Sequence, residues 1–270
     1  NVALMRLANA LLMGAFALLA SRYLGARTGT RAWLVALVVA AAATAIPVLA
    51  VTTVLFSEPL FLALLVAACW AADTARNAEG RRGLGLAALA GLAAAAAILA
   101  RSIGVAALAG VVLSLLTARR WGAGALAAVL GVAAAAPWSL WVRAHGDAIE
   151  PVLASNYGTY GDLVAQGGVS WLSLASLAEV GRPLGAIALP PIGGAARGLC
   201  ALLALALLGL GLVELVKRAP AAGWMLAVYL VIVAVWPYEP SRFLWGALPW
   251  LGVAFVLGTG AALKRAARDA

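Results

Sequence analysis

Residues 84–116 read LGLAALAGLAAAAAILARSIGVAALAGVVLSLL, an apolar run whose one charge, Arg101, stands at its middle. No other stretch limits the fold so strongly. A straight helix of about 33 residues would be roughly 50 Å long, against a membrane hydrocarbon core of about 30 Å. Arg76, Arg81 and Arg82 precede the run, and Arg119 and Arg120 follow it. Arginine collects on the cytoplasmic side of membrane proteins, so two such flanks on one side need an even number of crossings between them. The run is therefore expected to be a helical hairpin, with Arg101–Ser102 as its turn on the far side.

Composition agrees with a polytopic membrane class. The chain has 270 residues, 65% of them hydrophobic and only 11% charged, with a mean hydropathy of +1.03. The net charge of +9 is spread between apolar runs as loop charges. It is not gathered on one stripe, and no nucleic-acid partner is expected. His145 is the only histidine, which removes a His-based metal site. Cys69 and Cys200 lie in apolar runs and read as buried or lipid-facing thiols rather than a disulfide. Arginine greatly outnumbers lysine, present only as Lys217 and Lys264, which suggests a GC-rich bacterial genome and hence the bacterial inner membrane. Asn1 leads straight into a hydrophobic segment, with no initiator Met and no signal peptide. The chain reads as an N-terminally truncated fragment, a single transmembrane domain over 1–270.

The expected spans are 2–19, 33–56, 60–72, the two arms of the hairpin, 121–141, 199–216, 224–236 and 243–263. The first is expected to break at Gly25 and Gly29. The third is short, and must recruit Pro59 or Asp73 to cross. These segments make an all-α transmembrane bundle of about nine spanning helices. Residues 143–196 form an extracytoplasmic loop, within which 170–180 suits a short helix lying in the interface. Nine crossings place Arg22, Arg27, Arg31, Arg76, Arg81, Arg82, Arg119, Arg120, Lys217, Arg218, Lys264, Arg265 and Arg268 on one side. The remaining six positives are Arg6, Arg101, Arg143, Arg182, Arg197 and Arg242. The richer side is taken as cytoplasmic.

No acidic residue falls near the middle of an expected span, which counts against an ion-coupled pump. Polar chemistry gathers instead at the outer junctions: Ser57-Glu58-Pro59, Arg101-Ser102 and Glu239-Pro240-Ser241-Arg242. The outer loop adds Tyr157, Tyr160 and Asp162 in NYGTYGD. Together they describe a pocket opening outward at the lipid boundary. Arginines suit a phosphate, which they bind bidentately, and Tyr and Asp suit sugar hydroxyls. Each residue also has a plainer reading. Glu58 also suits the dipole at a helix start, Arg101 a snorkelling turn residue, and the tyrosines an aromatic belt. Trp138, Trp141, Trp236, Trp245 and Trp250 read as belt anchors.

The segments FSEPLFLALLVAA, LAALAGLAAAAAILARSIG, PWSLWVRAHGD and PYEPSRFLWGALPW resemble the GT-C superfamily of integral membrane glycosyltransferases. The likeness is greatest to the bacterial branch related to protein O-mannosyltransferases and the aminoarabinose transferase of lipid A. It covers nearly the whole chain and rests on an S-E after a span, A-R-S-x-G at a hairpin tip and P-Y-x-x-x-R-F before the last span. It implies transfer of a sugar from a polyprenyl-phosphate donor to a glycan, lipid or protein acceptor on the extracytoplasmic face, by inversion. The family's catalytic acid lies on a large outer loop that precedes this chain, so no catalytic base is assigned. A divalent metal could enter only through that loop, and no other cofactor is implied. On the donor side, Arg242 and Arg101 correspond to ligands of the lipid phosphate. Glu58 matches the S-E position, with Ser102, Tyr157, Tyr160, Asp162 and Glu239 completing the expected substrate pocket. The alternatives are a transporter or flippase of lipid-linked glycans, and a non-catalytic membrane scaffold.

Overall fold

The computed structural model describes residues 2–45, 57–145, 194–234 and 241–269, with 194–198, 201, 241 and 242 described as backbone only. Among the described residues the chain is all-helical, without strands. The helices are α1 (Val2–Thr28), α2 (Ala32–Ala43), α3 (Glu58–Ala75), α4 (Gly80–Ala100), α5 (Val105–Thr117), α6 (Trp121–Ala144), α7 (Gly194–Arg218), α8 (Pro220–Ala234) and α9 (Ser241–Asp269). A single 3-10 turn, Ser102–Gly104, joins α4 to α5. Five helices, α1, α3, α4, α6 and α9, are long and apolar enough to cross a membrane. Residues 32–43, 102–117 and 220–234 form shorter apolar helices. These helices mark a multi-pass membrane protein. The expected count of about nine crossings goes beyond these five.

The run 84–116 folds as a hairpin. Arg101 takes an extended conformation (φ −154°, ψ 135°) between α4 and the 3-10 turn. Gly104 then lies so close to the backbone of Ala97 that a Cβ would collide with its carbonyl. The glycine of A-R-S-x-G is thus required by the tightness of the turn.

The bundle is packed by small residues. On α4, Ala87, Ala90, Ala94 and Ala97 are fully buried, whereas Leu84, Leu89, Leu92 and Leu99 are exposed. That pattern inverts the soluble rule. Lipid is as apolar as leucine, so helices gain by close backbone approach, which only small side chains permit. Gly91 meets the backbone of Ala127 on α6, and Gly110 meets Ala221 and Met225 on α8. Gly211 of α7 and Gly258 of α9 lie on each other's backbones with no room for a Cβ.

One end of the bundle is tied by polar side chains. Asp73, fully buried near the C-terminus of α3, accepts hydrogen bonds from the Tyr23 hydroxyl (2.7 Å), the Ser114 hydroxyl (3.0 Å) and the Ala221 N–H (2.9 Å). It thereby joins α1, α3, α5 and the first turn of α8, whose free N–H groups favour a carboxylate. Around it, Arg76 donates to the Ser114 carbonyl. Arg120 donates to the carbonyls of Arg76 (3.2 Å) and Ala78 (2.6 Å), and Arg218 donates to that of Thr28 (2.7 Å). The arginine-rich ends of α1, α3, α5 and α7 and the start of α6 therefore meet on one face. We refer to it as the basic end.

Several helices depart from their expected bounds, the second ending already at Ala43. The first helix does not break at Gly25 but continues to Thr28, ending where Gly29 takes a positive φ of 66°. The reason is tertiary. Tyr23 and Leu24 are buried, and the Tyr23 ring also stacks on Trp70 with centroids 6.2 Å apart. The third helix recruits Glu58 and Pro59 at one end and Asp73 at the other. Pro47 and the expected interfacial helix at 170–180 lie outside the described residues.

Replacing Asp73 with Ala strands three buried donors, each costing about 1–3 kcal/mol when unsatisfied. A loss of about 3 kcal/mol or more is expected in detergent unfolding, with Asp73→Asn losing less. At the end of α5, Arg119 has φ 59°, the Arg119 N–H bonds to the Leu116 carbonyl and the Arg120 N–H to that of Leu115. This is a Schellman ending with arginine at the position glycine prefers. Arg119→Gly is expected to raise stability by up to about 1 kcal/mol, measured in the same unfolding assay.

Candidate functional site

Glu58 opens α3 and Arg101 closes α4, and the antiparallel packing of these two helices brings their side chains into an ion pair. Along α3, Glu58 lies 15 residues before Asp73, about 22 Å away at 1.5 Å per residue, so the pair marks the end opposite the basic one. Glu58 is 8% exposed. Arg101 donates through Nη1 to Glu58 Oε1, while Glu58 Oε2 is buried without a hydrogen-bond partner among the described residues. Arg101 is more open, with 18% of its side chain exposed. Its other N–H groups have no partner among the described residues.

Tyr229 of α8 brings a hydroxyl into the buried packing of the bundle. That hydroxyl donates to the Phe243 carbonyl (2.6 Å) and so fastens the first turn of α9 to α8. Arg242 precedes Phe243 on that turn, and its side chain lies outside the described residues. Tyr229 thus joins α8 to the turn that bears Arg242.

Ser102 begins the 3-10 turn next to Arg101 and is exposed. Tyr157, Tyr160, Asp162 and Glu239 lie outside the described residues. Trp138 and Trp141 are exposed near the end of α6 and stack on each other, centroids 5.3 Å apart, as suits boundary anchors. Trp250 is a correction to that set. It is 1% exposed, lies 6.4 Å from the Phe16 ring by centroid, and its indole N–H has no partner among the described residues. Its place on the packed face of α9, with Leu251 and Ala254 also fully buried, outweighs the boundary preference of tryptophan. Cys69 and Cys200 are both free, Cys69 buried. No cluster of three or more His, Cys, Asp or Glu able to hold a metal occurs among the described residues.

Sequence reading did not mark Tyr229. The available signal was a single hydroxyl inside the apolar run 224–236, where a buried tyrosine must find an acceptor. Chemically, the pair offers a guanidinium and a carboxylate oxygen that keep donors and acceptor capacity without partners among the described residues. Such a set binds an anion beside a hydrogen-bond donor. Comparison of the chain with protein-family models, with curated proteins and with solved structures finds no match.

Removing one member of a buried ion pair leaves the other uncompensated, at a cost of about 3–5 kcal/mol. Arg101→Ala is therefore expected to destabilise the protein more than the Glu58→Ala/Arg101→Ala double variant does. Detergent unfolding of the singles and the double measures this. Strictly additive losses would show the pair to be energetically uncoupled.

Proposed function

We propose that this chain is the membrane part of a glycosyltransferase that moves a sugar from a polyprenyl-phosphate donor to an acceptor on the extracytoplasmic face. The observation that carries the reading is the Glu58–Arg101 pair, held at the end opposite the basic one. On this reading the basic end faces the cytoplasm of a bacterial cell, and the shorter apolar helices and α7 complete about nine crossings. The Arg101–Arg242 end then lies at the outer boundary, where a lipid phosphate sits while its chain remains in the hydrocarbon.

In the reaction an acceptor hydroxyl attacks the anomeric carbon of the donor. The bond from that carbon to the phosphate oxygen breaks with inversion, and the polyprenyl phosphate leaves with the bonding electrons. Negative charge grows on the phosphate, and the free N–H groups of Arg101 and the guanidinium of Arg242 stabilise it. The base that takes the acceptor proton is assigned to no residue of this chain.

The transferase reading also answers a cost. Arg101 stands away from the arginine-rich end, partly buried, with donors left over. A snorkelling residue alone would not require Glu58 to be drawn in beside it. In the intact membrane protein, Arg242→Ala is expected to slow sugar transfer from an undecaprenyl-phosphate donor by about a hundredfold. Unchanged turnover at limiting donor would remove Arg242 from the mechanism.

A further inference from the structure

We infer that Glu58 recognises the donor-sugar hydroxyl next to the phosphate linkage, making it a specificity-determining residue; this rests on the polyprenyl-phosphate-sugar reading above. The starting point is the asymmetry of one carboxylate. Oε1 is held by Arg101, whereas Oε2 is buried and has no partner among the described residues. An ionised carboxylate only accepts hydrogen bonds, so whatever completes it must bring an O–H or N–H. No donor among the described residues completes it. The Tyr229 hydroxyl is committed to the Phe243 carbonyl, and the Trp250 N–H, itself unpartnered, does not reach Oε2.

Arg101 supplies the other half. Its Nη1 orients Glu58, and its remaining N–H groups can take an anion. A ligand that satisfies both residues must carry an anion and a hydroxyl close together, because the two residues are already in contact. In a glycosyl phosphate, the hydroxyl on the carbon adjoining the anomeric carbon is the one nearest the phosphate. Seated with its phosphate on Arg101, the donor presents that hydroxyl to Oε2. Polyprenyl phosphate without a sugar satisfies Arg101 and leaves Glu58 incomplete, so the site favours loaded donor over spent carrier.

The test measures affinities in nanodiscs with the intact protein. The ligands are an undecaprenyl-phosphate hexose, its 2-deoxy-2-fluoro analogue, and undecaprenyl phosphate alone. Fluorine can accept a hydrogen bond but cannot donate one. The wild type is expected to bind the hydroxylated donor about 10- to 100-fold more tightly than the fluoro analogue, the range of a charged hydrogen bond. In Glu58→Gln, Arg101 takes the amide oxygen and leaves an N–H to face the ligand. That variant is expected to narrow the ratio to about threefold or less while still binding undecaprenyl phosphate, which reports an intact fold. Should it fail to bind the lipid phosphate, Glu58→Asp, which keeps the charge but withdraws it, replaces it with the same expected narrowing. An unchanged ratio in the variant that binds overturns the role of Glu58 and leaves the transferase reading standing. Failure of the wild type to turn over any undecaprenyl-phosphate hexose, measured separately, overturns the transferase reading and this inference with it.

Discussion

The fold depends on the Asp73 carboxylate more than on any other group. A carboxylate buried among apolar helices is tolerable only when its oxygens are satisfied. Here the donors come from Tyr23, Ser114 and the Ala221 N–H, on three different helices. Helix contacts made by alanine and glycine in lipid are close but weakly directional, and they leave sliding motions cheap. Three hydrogen bonds to one carboxylate remove that freedom, since a shift of any one helix along its axis breaks a bond. Arg76, Arg120 and Arg218 add further bonds to carbonyls at the same end. The placement of α1, α3, α5 and α8 is thus fixed largely at one end of the bundle.

Helix α3 carries both carboxylates that matter. Asp73 at one end has donors on both oxygens, whereas Glu58 at the other has one oxygen paired and one not. Two acidic residues on one rigid helix therefore have different fates. A fully satisfied group has nothing left to offer a ligand, and its role is structural. A half-satisfied group retains binding capacity at a standing cost to stability. The same contrast separates the arginines. Arg76 and Arg120 spend donors on carbonyls and hydroxyls, whereas Arg101 keeps donors without a partner among the described residues.

How much of this could be read from the sequence follows from the range of each interaction. The hairpin at Arg101 was legible because length and hydropathy are local, and so was the gathering of arginine-rich ends. The all-helical class followed from composition, although helices as short as α5 and α8 show that span count cannot be taken from apolar runs alone. The Asp73 knot was not legible. Its partners stand 50, 41 and 148 residues away, and no periodicity connects Tyr23, Ser114 and Ala221. Trp250 was misread for a related reason: tryptophan's boundary preference is a property of the residue, whereas its burial depends on which face of α9 meets the bundle. In the candidate site, Glu58 and Arg101 could each be picked out as charges at span ends. Their pairing required α4 to run back along α3, so that its end meets the start of α3.

The helix that carries Arg242 needs support of its own. Pro249 lies inside α9, where it offers no N–H to the carbonyl of Trp245 and weakens the helix at that turn. The segment before it is therefore less firmly coupled to the rest of α9, which is held against α7 at Gly258. Burial of Leu244, Ala247 and Leu248 holds that segment against the bundle. The Tyr229 hydroxyl, bonded to the Phe243 carbonyl, adds a directional bond to that packing, and it comes from α8, whose start is capped by Asp73. A chain of contacts thus runs from the buried carboxylate, along α8, to the turn beside Arg242. The position of that turn relative to Glu58 and Arg101 is an outcome of how the opposite end of the bundle is locked.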